Sequence, residues 1–183
     1  MNKTPPAPMD ESADAPLENF SNCHIGIVTH LKTFGELPAL LAPAARARKI
    51  AEETLGFFRD AVYEHHAEEE QTLFTAVIAS AVRGEERDRV QVMVDQLTAE
   101  HRAIEAAWTK LEPELKKVAK GHDSELNVAG VEHLVRTYLA HAAYEEGQFL
   151  PLAHTILNRN GRHMEALGLS LHIRHAPQFT AHI

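Results

Sequence analysis

The chain has 183 residues, with 18 Lys and Arg against 26 Asp and Glu, so its net charge is −8 with histidine neutral. That length fits a single domain able to bury about 70% of its unfolded surface without disulfide staples. The acidic balance argues against a sequence-independent grip on nucleic acid or anionic lipid. One cysteine, Cys23, excludes an intrachain disulfide and suits a reducing, cytoplasmic setting. Residues 1–16 hold four prolines and no aromatic residue, which reads as a disordered tail. With no apolar signal core, the start of the chain argues against secretion. The longest strongly apolar stretch, Gln71 to Val82, falls short of the about 20 residues of a membrane span.

Four long helical patterns succeed the tail. The first runs from about Leu17 to Leu41 with Pro43 beyond it, and the second from about Ala44 to Val82, stopping at Gly84. The third covers about Glu86 to Lys120, before Gly121. The fourth covers about Glu125 to Leu157, before the turn-like Asn-Arg-Asn-Gly of residues 158–161. A short fifth helix is expected over Arg162 to Leu171. No segment alternates in the manner of a strand. Long helices with short connections predict an all-α, up-down-up-down four-helix bundle over residues 17–158, with a short C-terminal helix and tail over 159–183.

Thirteen histidines are the departure from ordinary composition, and several fall on the apolar lines. In the third segment Val90, Val94, Leu97, Ile104, Trp108 and Leu111 recur at three- and four-residue steps, and His101 fills the gap between Leu97 and Ile104. The second line reads Phe58, Val62, His65, Glu69, Leu73, Ala76. The fourth reads Leu134, Tyr138, His141, Glu145, Phe149, Leu152, and the first His24, Ile27, Leu31, Phe34. An internal repeat runs through these lines: His65 to His141 and Glu69 to Glu145 are both steps of 76, and His24 to His101 is 77.

The pattern His-x-x-x-Glu occurs at His65/Glu69, His66/Glu70, His101/Glu105 and His141/Glu145. Residues four apart share a helix face, so such a pair can grip one ion or two adjacent ones. Two buried carboxylates repel and are costly without a partner. No Lys or Arg lies on these lines near Glu69 or Glu145, so a cation is the expected compensation. Imidazole with carboxylate suits iron, manganese or zinc. Glu105 is a candidate further ligand, or an acid that orients an imidazole. His66 sits about 100° around the helix from His65 and is expected at the surface or between helices. Glu100 is expected to be exposed, Glu146 to be at the surface or behind a ligand, and His30, His133, His172, His175 and His182 to be outside the site.

At NCHIGIVTHL, HHAEEEQTLF, AEHRAIE and HAAYEEGQFLP the chain resembles the hemerythrin family, in particular its bacterial branch, the HHE cation-binding domain. MEALGLSLHIR is similar to the tail helix of bacterial members. The resemblance implies a four-helix bundle holding a non-haem diiron centre. His24, His65, His101 and His141 would be imidazole ligands, and Glu69 and Glu145 would bridge the irons. Oxygen carriers of the family use His-x-x-x-His on the third helix and His-x-x-x-x-Asp on the fourth. This chain offers His101-x-x-x-Glu105, and Glu145 with Glu146 at the Asp spacing. It is thus one imidazole short, which points away from simple reversible O₂ transport and toward relatives implicated in iron, NO or oxidative-stress handling.

The expected function is therefore a cytoplasmic non-haem diiron protein, monomer or homodimer, that binds or reacts with O₂, NO or peroxide, with manganese or zinc as possible replacements for iron. The competing expectations are a diiron enzyme or iron donor for damaged iron centres, with a protein redox or iron-acceptor partner, and a structural zinc bundle. The ferritin-like alternative requires Glu-x-x-His, which the chain lacks.

Overall fold

A computed structural model describes the backbone of residues 15–159 and the side chains of residues 23–159. The expected N-terminal tail and the expected helix over Arg162 to Leu171, with His172, His175 and His182, lie outside the described residues. Every regular element among the described residues is helical, and the fold is all-α. None of these helices is long and apolar enough to cross a membrane.

The chain divides into two units at Ala47/Arg48. In the first, helix α1 (Ala15–Phe57) begins. It carries Ile27, Leu31 and Phe34 on one exposed apolar stripe. The break expected near Pro43 is not made, because α1 passes through both Pro38 and Pro43. Each proline removes one backbone bond, from the carbonyls of Phe34 and Ala39 respectively. The whole stretch 23–50 is exposed, so water can satisfy those carbonyls. The Ala, Leu and Arg residues on either side favour the helix strongly enough to carry it through.

The second unit contains the end of α1 and three helical runs. The first run continues from α1 through a π-helical turn (Phe58–Val62), α2 (Tyr63–Glu68), a second π-helical turn (Glu69–Phe74) and α3 (Thr75–Ser80). It ends where Ala81 turns extended, and Gly84 then reverses the chain at φ 101°, a conformation open to glycine. Helix α4 spans Glu85–Ala119. Its acidic first turn and basic last turn both suit the helix dipole. Gly121, at φ 72°, ends it in the left-handed conformation. Helix α5 (Val128–Tyr144) starts two to three residues later than expected, because Asn127 is the residue that caps it: its side chain accepts the Gly130 N–H at 2.9 Å. A third π-helical turn (Glu145–Phe149) joins α5 to α6 (Leu150–Asn158).

These runs bury two apolar clusters. One gathers Phe74, Val77, Val90, Leu97, Phe149 and Ile156. The other gathers Phe58, Val62, Ile104, Trp108, Leu111 and Leu134, with the Phe58 and Trp108 rings stacked at 3.9 Å. Along every run the chain passes from one cluster to the other through polar residues. On α4 Leu97 belongs to one cluster and Ile104 to the other, with His101 between them. On the neighbouring runs Val62 and Phe74 flank His66 and Glu69, and Leu134 and Phe149 flank His141 and Glu145. A polar layer is thereby sealed between two apolar ones.

The start of α4 is tied to the end of α6 by Arg159, whose guanidinium donates to both oxygens of Glu86 at 2.6 and 2.8 Å, while Glu86 also accepts the Val82 N–H. Those bonds, Arg159 first, hold the Glu86 carboxyl at about 2 against an ordinary value of 4.5. A depressed carboxyl contributes stability that is present above 4.5 and lost as pH falls through about 2. Glu86→Gln should therefore lower the thermal midpoint modestly at neutral pH. Wild type and variant should converge as the pH is lowered across that window in a melting series.

Candidate metal centre

The polar layer holds two groups of donors. His66, His101 and His141 each present a ligand atom within 4.8 Å of the other two, and His65, Glu69 and Glu145 do the same. The first three are buried, with His66 only 1% exposed, whereas the His65 side chain is 42% exposed at the edge of the layer. The His66 and His101 rings stack at 3.9 Å, and His141 stands nearly perpendicular to His101 at 4.8 Å.

Glu69 joins the groups. Its Oε1 lies 3.1 Å from His65 Nε2 and its Oε2 lies 3.2 Å from His101 Nε2. That second contact is close but misaligned, so Glu69 Oε2 and His101 Nε2 are both left without a hydrogen bond. The same is true of Nε2 in His66 and His141. A native interior seldom leaves one such atom unpaired; here four share a single layer.

The opposite ring nitrogens are all held. Nδ1 of His66 lies 3.0 Å from Glu105 Oε1, Nδ1 of His101 lies 2.8 Å from Glu70 Oε1, and Nδ1 of His141 lies 3.0 Å from Glu100 Oε2. A carboxylate on one imidazole nitrogen fixes the tautomer and aims the lone pair of the other, the arrangement typical of metal-bound histidine. The donor set fits a metal on both counts: orphaned ring nitrogens face one layer, and among the described residues no Lys or Arg pairs with Glu69 or Glu145.

The electrostatics agree. Burial pulls the His66 pKa down to about 4, against the opposing pull of Glu105, so the ring is neutral and able to ligate at neutral pH. Burial also opposes the charged form of His101, but Glu69 and Glu70 outweigh it and hold the ring above its ordinary value. Glu69 and Glu145 are 4% and 7% exposed, with a carboxylate oxygen of each within 4.8 Å of the other. Burial first, and Glu69 second, push the Glu145 carboxyl well above the carboxylate range. Burial works against the charged form of Glu69 too, yet its contacts with His101 and Glu145 and the nearby imidazoles keep it below its ordinary value. One proton thus stands in for positive charge between two acids.

Of the residues singled out by the sequence, His65, Glu69, His101, His141 and Glu145 come together in this layer. His24 stands on α1 in the first unit, exposed. Glu105 meets the Nδ1 of His66, and Glu146 is exposed. His66 lies between helices, buried in the layer with its Nδ1 against Glu105 of α4. From the end of the second π turn onward Phe74 and Val77 are fully buried, with Leu73 and Ala76 half-buried against the same cluster. One expectation is corrected. Glu100 is not a free surface acid but the partner of His141. The doubled His65-His66 and the run Glu68-Glu69-Glu70 are the only traces of this in the sequence.

These features define an all-helical protein with a buried imidazole–carboxylate cation centre. The family of hemerythrin HHE cation-binding domains matches residues 15–153, most of the chain, and the protein belongs to that family. No curated protein and no solved structure matches it.

The raised Glu145 carboxyl has a consequence for metal-free protein. A folded-state pKa above the unfolded 4.5 means stability that is full below 4.5 and lost as pH rises toward the folded value. Glu145→Gln stays neutral throughout. Chelator-treated Glu145→Gln should therefore be more stable than wild type at neutral pH, with the gap closing on acidification in a pH series of unfolding curves. The same variant should bind divalent metal at least about tenfold more weakly, by analogy with losses around metal sites.

Proposed function

We propose that this layer holds two non-haem iron ions and that the protein binds or reacts with O₂, NO or peroxide. The observation that supports this reading most directly is the set of three Nε2 atoms and one Glu69 oxygen, buried in one layer and left without partners. His66, His101 and His141 form one subsite, and His65, Glu69 and Glu145 the other. Glu69 reaches both and is the candidate bridge. His66 supplies the imidazole by which the motifs fall short of those of the oxygen carriers. His24, on the first unit, keeps its sequence-based assignment as a candidate ligand, and His24→Ala tests it by metal content alone. The absence of thiolate from the layer and its mixture of nitrogen and oxygen donors suit iron or manganese as well as zinc.

Bound iron would supply electron exchange with a small ligand. The protein's part is binding and shielding. The apolar clusters above and below the layer exclude water, which strengthens charge interactions inside it. Glu70, Glu100 and Glu105 keep the imidazoles turned inward. His65, its side chain 42% exposed, is the least buried of the layer's donors. The same arrangement is compatible with turnover of peroxide or NO, or with release of iron to an acceptor. Those activities are separated from reversible binding by assay.

Protein reconstituted anaerobically with ferrous iron should hold about two irons per chain, and its optical spectrum should change on exposure to O₂ or NO. Less than one iron per chain, or zinc retained in preference with no spectral response, would overturn the iron reading. Metal binds the folded state and separates Glu69 from Glu145, so loaded protein should melt several degrees above chelated protein. An unchanged midpoint in paired scans would contradict any metal role for the layer.

A further inference from the structure

Beside the layer lies a side chain whose hydrogen bonds go to the acids behind the imidazoles. Arg102 comes directly after His101 on α4, and its side chain is 55% exposed. Its Nη1 donates to Glu105 at 3.0 and 3.1 Å, and its Nη2 donates to Glu70 Oε2. Glu70 gives its other oxygen to His101 Nδ1, and Glu105 gives Oε1 to His66 Nδ1. One guanidinium therefore grips both carboxylates that orient the two stacked imidazoles. The third imidazole is held differently: Glu100, which meets His141 Nδ1, is anchored on its other oxygen by the neutral amide of Gln96 at 2.8 Å.

We propose that Arg102 is a positioning residue of the metal centre: by clamping Glu70 to Glu105 it fixes the ring orientation and the Nδ1–H tautomer that present Nε2 of His101 and His66 to the metal. Exposed ion pairs contribute little to stability, so the clamp acts on geometry. Glu70 and Glu105 are each only 21% exposed and share one cation. Without it they repel each other, and each is free to turn toward solvent and release its imidazole. The rigid fork of arginine suits two carboxylates at once, which the point charge of lysine does only in part. The Glu100–His141 arm is the internal control, because it does not pass through Arg102.

The proposal rests on the metal-binding reading, and its test separates the two. In metal-free full-length protein labelled with ¹⁵N at histidine, imidazole spectra at neutral pH report the protonation form and tautomer of His66. Wild type should show a single Nδ1–H form. Arg102→Ala should show mixed tautomers at His66, leave the His141 signals in place and keep the helical circular dichroism. Cobalt(II), used as a spectroscopic probe, should bind this variant about 10- to 100-fold more weakly, and Arg102→Lys should recover part of the loss. Retention of the pure Nδ1–H form with cobalt affinity within about twofold of wild type would overturn the proposal. So would equal disturbance of His66 and His141, or a wild-type His66 that is not Nδ1-protonated. If neither protein binds cobalt, the metal reading fails while the tautomer comparison still decides the role of Arg102.

Discussion

Two acids buried side by side set the terms for the rest of this molecule. Glu69 and Glu145 sit in an interior that is apolar above and below them, with a carboxylate oxygen of each within 4.8 Å of the other. In such surroundings two negative charges are not tolerated together, and a proton or a cation must lie between them. Every other polar feature of the layer is arranged around that need. The imidazoles of His66, His101 and His141 line the space, their Nδ1 atoms tethered and their Nε2 atoms without a hydrogen bond.

The tethers come from a second ring of acids. Glu70, Glu100 and Glu105 lie on the outer side of the imidazoles, half shielded, where water and Arg102 or Gln96 can satisfy them. The protein thus uses its negative charge in two ways. The buried pair attracts positive charge into the layer, and the outer ring determines which nitrogen of each ring carries hydrogen. A layer built only of histidines would lack both functions.

The π-helical turns explain how helices present such a layer. Glu69 and Glu145, 76 residues apart, each open one. A π turn is rare inside α-helices and is frequently found at functional sites. At the ends of these turns Phe74 and Phe149 enter the core, where the two rings meet edge to face at 5.1 Å. The polar layer and the apolar cluster below it adjoin at the two turns.

Residue order alone specifies the all-helical class, the chain reversal at Gly84, the apolar stripe of α4 with His101 inside it, and the pairing of Glu69 with Glu145 through the repeat. These derive from the 3.6-residue period and from the cost of burying charge, both of which are legible without coordinates. Packing in three dimensions settles that His66 enters the layer, that Glu70, Glu100 and Glu105 stand behind the imidazoles, and that α1 continues through Pro38 and Pro43. A π turn shifts helical phase without any residue signature. Contacts such as Glu100 to His141 join positions 41 residues apart. A proline's lost hydrogen bond costs little where water reaches the freed carbonyl. Those outcomes depend on what surrounds each residue in space, which the order of residues does not state.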